Sequence, residues 1–319
     1  MMRTHCPKRK RDLFLSIGLA VAMLIYAGAT RAETGPATAP AAATAMAAQD
    51  AEVRMDHISI VTKGAQSGQT VIFIPGLSSP RAVWDGSWEA VAQDHPVALV
   101  QVNGFAGGEP GANLEPGVID GIVADIAAYI RGNNIEKPAV IGHSMGGLVA
   151  MKLAIAHPDL IGRILVVDAM PFFGTVMGAP DVASIEPRAA QMRDMMIARY
   201  EAVREAAQTP VTSDPGGNLS MTPEGRVKVA NWSMQADTRV VAQALYEDMT
   251  MDLRDQIGAI TMPFTVVYAA GMGEAQAAAI WEPQFAGSQA KMVAIPDSYH
   301  FLMLDNREAF LTAMADFLD

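Results

Sequence analysis

The chain has 319 residues, half of them apolar, and a formal charge of −11 at neutral pH. That length and apolar content suit one large α/β domain or two small ones. The acidic balance, with no basic stripe in the body of the chain, argues against a nucleic-acid binder.

Lys8, Arg9, Lys10 and Arg11 precede an apolar run over 13–26, and small residues follow around Ala29 and Ala32. This order of charge, apolar run and small residues is that of an export signal, and the run is short for a membrane span. Residues 1–32 are therefore expected to be a signal peptide, and 33–52, rich in Ala, Thr and Pro, a low-complexity linker. The chain's one cysteine, Cys6, lies in the signal. A chain cleaved there has no thiol for a disulfide, a Cys–zinc site or a Cys nucleophile. A periplasmic or secreted bacterial protein is expected, with no stable membrane association once the signal is removed.

Over 53–319, strand-type and helix-type segments alternate. Residues 57–61, 71–74, 96–102, 138–141 and 163–167 read as strands, and 84–92, 118–131 and 147–156 as helices. This rhythm predicts a mostly parallel sheet with helices on both faces. Such sheets bind ligands at the carboxyl ends of their strands. The rhythm breaks after Pro171. A helical cap is expected over about 171–260, with helices at 186–207 and 238–249 around a turn-rich Pro215-Gly216-Gly217 link. Methionine is frequent in this stretch, where it serves as a flexible filler of the core. Strands resume at 264–268 and 291–295, and a helix at 307–318 closes the domain.

The most informative stretch is Gly142-His143-Ser144-Met145-Gly146, set between a buried strand and an apolar helix. In that context a Gly-x-Ser-x-Gly motif is a nucleophile elbow, whose sharp turn lifts the Ser144 hydroxyl clear of the sheet. The two glycines let strand and helix approach closely. The Met145 N–H, at the helix N-terminus, is free to bind an oxyanion. A second oxyanion donor is expected from Pro75-Gly76-Leu77-Ser78, with Leu77 as the donor.

A serine nucleophile needs a base that takes its proton and returns it to the leaving group. His300 follows the last strand and is the candidate. The acid is left between two positions: Asp168, at the end of the strand over 163–167, is favoured over Glu274, in the loop after 264–268. Trp84 and Phe105 lie near the expected site, where each either lines the substrate pocket or only packs. His57, His95 and His157 read as strand or junction residues. No His/Asp/Glu group has metal-ligand spacing.

Together, Pro75-Gly76-Leu77, Gly104-Phe105-Ala106-Gly107, the Ser144 motif and His300-Phe301 resemble, in order, the α/β-hydrolase superfamily over about residues 55–319. The resemblance implies an α/β-hydrolase fold with a helical cap, a Ser-His-Asp triad, no cofactor and a small-molecule acyl substrate. It departs from many members at Gly271, where the loop lacks an acid. The expected activity is hydrolysis of a carboxylic ester, lactone or related acyl compound. The alternatives are a cofactor-free, haloperoxidase-like perhydrolase and a non-catalytic binder on the same shell.

Overall fold

A computed structural model describes residues 52–319. The expected signal peptide, and the linker up to residue 51, lie outside the described residues. Eight strands form one sheet: β1 (Glu52–Arg54), β2 (Ile58–Gly64), β3 (Val71–Ile74), β4 (Pro96–Val102), β5 (Ala139–His143), β6 (Arg163–Val167), β7 (Phe264–Ala269) and β8 (Lys291–Ile295). Their spatial order is β1-β2-β4-β3-β5-β6-β7-β8. β2 runs antiparallel to β1 and β4, and all other pairings are parallel.

The central strands β3, β5, β6 and β7 are apolar at nearly every position, Arg163 and His143 at strand ends and Thr265 excepted, because both faces of the sheet are covered. Alternation then divides their side chains between two cores. Ile72, Ile74, Val140, Ile164 and Val166 face the first, where α2 (Val118–Gly132) and α3 (Met145–Ala156) pack. Val71, Phe73, Ile141, Leu165 and Val167 face the second, beneath Trp84 and the closing helix Arg307–Leu318.

The expected helix over 84–92 is instead a 3-10 turn at Arg81–Trp84 and a single helical turn, α1 (Trp88–Val91). Gly86, at φ 84°, breaks the segment, a conformation that suits glycine and ends a helix.

The insert lies between β6 and β7 and holds α4 (Val182–Ala198), α5 (Tyr200–Ala206), α6 (Pro223–Gln235) and α7 (Thr238–Thr250). The single helix expected over 186–207 is two, divided at Arg199, and it starts earlier because Asp181 caps the N–H of Ser184 at 2.9 Å. α6 lies between the turn-rich Pro215-Gly216-Gly217 link and the helix expected at 238–249, where no helix is expected. Thr222 caps it and Pro223 opens it, both standard start signals. The remaining helices are α8 (Glu274–Trp281), α9 (Leu302–Asp305) and α10 (Arg307–Leu318). Among the described residues no helix is long and apolar enough to cross a membrane.

Candidate active site

From 138 to 151 every residue is buried except Ser144. The backbone explains the exception. Ser144 has φ 53° and ψ −124°, a region that L-residues rarely adopt and that costs about 1–3 kcal/mol. Close packing holds it there: a Cβ on Gly142 would run into the Gly146 carbonyl, and one on Gly146 into the Ile74 carbonyl. The Ser144 N–H donates to the Val167 carbonyl at 2.9 Å, which ties the turn to the neighbouring strand.

His300 comes from the loop after β8 and meets Ser144 at the rim. Its Nε2 lies 3.0 Å from Ser144 Oγ, and its Nδ1 lies 2.7 Å from Asp168 Oδ2. A carboxylate only accepts, so Nδ1 carries the proton and Nε2 presents its lone pair to the serine hydroxyl. Asp168 stands just past the end of β6, again with positive φ (50°). Its other oxygen accepts the Ala269 N–H at 2.8 Å. The end of β7 therefore supplies a backbone donor that orients the acid, and not an acid of its own. Glu274 begins α8, is exposed, and takes no part in this chain of hydrogen bonds. The loop before it is pulled elsewhere, with the Gly271 N–H donating to the Ser298 carbonyl at 2.9 Å.

The Leu77 and Met145 N–H groups donate to no group among the described residues. Ser78, next to Leu77, has φ 53°, so this loop, like the elbow, is held in an uncommon backbone state. Trp84 and Phe105 are fully buried and do not line an open pocket. Phe105 joins the core under the insert, and Trp84 stacks on Phe310 and stands edge-on to His143. Both sit inside the cores because their loops fold back over the sheet's faces.

Two supports of the site carry no signal in the sequence. His143 lies two residues beyond Ile141 and shares its face of the sheet. It is fully buried, and its Nε2 donates to the His300 carbonyl at 2.9 Å. Burial, chiefly, holds its imidazole well below 6.5, so it is neutral. Asp305, in α9, accepts the Tyr299 N–H at 2.9 Å and the Ser220 hydroxyl and Met221 N–H at 2.5 and 3.0 Å. It joins the His300 loop to the insert. Among the described residues no cluster of three or more His, Cys, Asp or Glu side chains is arranged to hold a metal.

A family model described as the alpha/beta hydrolase family matches residues 71–313. An N-formylmaleamate deformylase of Pseudomonas putida is 21% identical over 253 residues, which cover 79% of this chain and 89% of that protein. A pimeloyl-[acyl-carrier protein] methyl ester esterase of Aeromonas hydrophila is 25% identical over 219 residues, 66% of this chain and 80% of its own. The crystal structure of an enol-lactonase from Burkholderia xenovorans superimposes with a TM-score of 0.62 at 18% identity, covering 82% of this chain and 96% of that one.

Proposed function

Because this chain belongs to the alpha/beta hydrolase family, we propose that it is a serine hydrolase that cleaves a carboxylic ester, lactone or related acyl compound. One observation carries this reading: the unbroken relay from Ser144 Oγ through the His300 ring to Asp168, at 3.0 and 2.7 Å. His300 takes the Ser144 proton as Oγ attacks the carbonyl. The charge that develops on the carbonyl oxygen falls to the Leu77 and Met145 N–H groups. Loss of one such donor costs about 10²–10³ in turnover. His300 then protonates the leaving group, and water attacks the acyl-enzyme with the same histidine as base. Asp168 keeps Nδ1 protonated and steadies the imidazolium. The relatives, a deformylase, a methyl ester esterase and an enol-lactonase, support an acyl substrate.

The test is hydrolysis of p-nitrophenyl acyl esters by the wild type and by Ser144→Ala, with folding checked by circular dichroism. Loss of turnover in a folded variant is expected; unchanged turnover refutes the assignment. Export is part of the same proposal and rests on the pattern of residues 1–32 alone. Mass spectrometry of the mature protein is expected to find a start at residue 30 or 33, as the small residues at Ala29 and Ala32 imply.

A further inference from the structure

The relay leaves one buried ionisable group near His300 without a role. Asp248 is 7% exposed, on α7, with Leu245 and Met249 buried beside it. Among the described residues it makes no hydrogen bond, whereas the adjacent Glu247 makes three to backbone N–H groups. No protein group pairs this largely buried side chain, yet neither of its oxygens is among the enclosed atoms that lack a partner, so the carboxyl opens onto accessible space where a ligand can meet it.

The way α7 is fastened places Asp248 over the site. At its start, the Asp237 N–H donates to the Gly104 carbonyl at 2.6 Å, in the loop after β4. At its end, Phe172 bridges Asp252 and the Leu253 N–H donates to the Pro171 carbonyl at 2.8 Å, in the loop that begins at Asp168. β3 and β5 lie between β4 and β6 in the sheet. A helix pinned to the loops after β4 and β6 therefore crosses the carboxyl ends of β3 and β5, where Leu77 and Ser144 sit. The lengths agree: three strand spacings are about 14 Å, and 13 helical residues span about 20 Å. Asp248 belongs to the last turn, above the Asp168 loop. Both nitrogens of His300 are taken by Ser144 and Asp168, so Asp248 is not a fourth member of the relay.

We propose that Asp248 is a substrate-recognition group, whose carboxyl accepts a hydrogen bond from an ammonium or other N–H donor on the leaving-group side of the substrate. The proposal rests on the hydrolase reading above and narrows its substrate class from acyl compounds in general to those with an amino-bearing leaving group. The leaving-group side follows from position: Asp248 lies in the turn above the Asp168 loop, and Asp168 holds His300, which hands its proton to the departing atom. Burial pushes the Asp248 carboxyl up to about 7, and the imidazole opposes that shift. A cationic donor docked against it favours the ionised form and gives the carboxyl a partner that the protein itself does not.

The test compares two acetates of matched shape, 2-(dimethylamino)ethyl acetate, protonated at neutral pH, and 3-methylbutyl acetate. The readout is the ratio of their kcat/KM values in the wild type, Asp248→Asn and Asp248→Leu. Fluorophosphonate labelling of Ser144 monitors the relay in each. The wild type is expected to prefer the amino ester. The preference should fall roughly 10- to 100-fold in Asp248→Leu, as loss of a hydrogen bond between charged groups predicts, and by less in Asp248→Asn, which keeps an acceptor. A wild type that cleaves neither ester and is not labelled removes the hydrolase reading itself. A wild type that is labelled but prefers the alkyl ester, cleaves neither, or keeps its ratio in both variants overturns the role of Asp248 and leaves the hydrolase reading standing.

Discussion

Ser144 and Asp168 stand at the ends of neighbouring parallel strands, and the register of β5 against β6 fixes their separation before any side chain is considered. The inserted helices over 182–250 have no such register. They pack into the first core through residues such as Val240, Leu245 and Met249, and are aligned on the rim by individual polar contacts: the Asp237 N–H on Gly104, Glu247 on the start of α2, and Asp305 on Ser220 and Met221. A rim built by sheet geometry has its spacing set by the strands, and a roof without a register has its spacing set by side-chain packing and those few contacts. The difference assigns chemistry to the first and selectivity to the second. Substitutions at the rim should therefore change turnover for every substrate, and those in the roof should change preference and stability.

The largest effect is expected at the acid. Asp168→Asn removes the acceptor that sets the His300 tautomer and should lower kcat by about 10³–10⁴, whereas Glu274→Gln should change it less than about two-fold. Steady-state kinetics on one ester separates the two, and the reverse pattern would show that the sheet-built rim ends elsewhere.

In the roof, the effect should appear as stability. The folded-state pKa of Asp248 is raised from 3.8 to about 7, so the folded chain binds a proton that the unfolded chain releases. Stability is then lost as pH rises between those two values, by at most about 4 kcal/mol. Asp248→Leu should melt above the wild type at pH 8, with a gap that narrows towards pH 4. A gap independent of pH would mean that the carboxyl is not desolvated.

A smaller effect tests a support of the rim. His143→Leu removes the donor to the His300 carbonyl at similar volume. It should lower kcat roughly 10-fold with KM little changed, in line with the loss of about one hydrogen bond, and His143→Gln, which can reach with an N–H, should recover part of it. If both variants lose stability yet keep kcat, His143 only fills space.

The smallest effect concerns how the roof is attached. Glu247 accepts the N–H groups of Gly117, Val118 and Ile119 at 2.7, 3.1 and 2.8 Å, and so caps α2 from the insert. Glu247→Gln should cost about 1–2 kcal/mol in denaturant unfolding. Ser144 labelling should continue; its loss would mean that rim and roof are not separable.

The same contrast governs what can be read from the sequence. β3 is an unbroken apolar run, and β5 and β6 are apolar but for His143 and Arg163 at their ends, so they and the elbow are legible, and so is the place where the strand rhythm stops. α6 is not: of its residues only Gly225, Val229 and Ala230 are buried, too few to make an apolar stripe, although Thr222-Pro223 marks its start. β1 is exposed at every position and carries no alternation. Chain order singles out His300, but spacing alone leaves Asp168 and Glu274 both open, because the deciding contact is Asp168 on the His300 Nδ1, steadied by the Ala269 N–H, a backbone donor that no side-chain pattern reports. His143 and Asp248 are hidden for a related reason. One occupies a variable place in a motif, the other the buried side of a cap helix, and each takes its meaning from what folds against it.

The most direct test of the relay is the rate and location of fluorophosphonate attack, read by peptide mass mapping. The account predicts a single adduct on Ser144 in the wild type, formed at a rate that collapses in His300→Ala. An adduct on another residue, no adduct at all, or one on Ser144 that forms equally fast without His300 would contradict it.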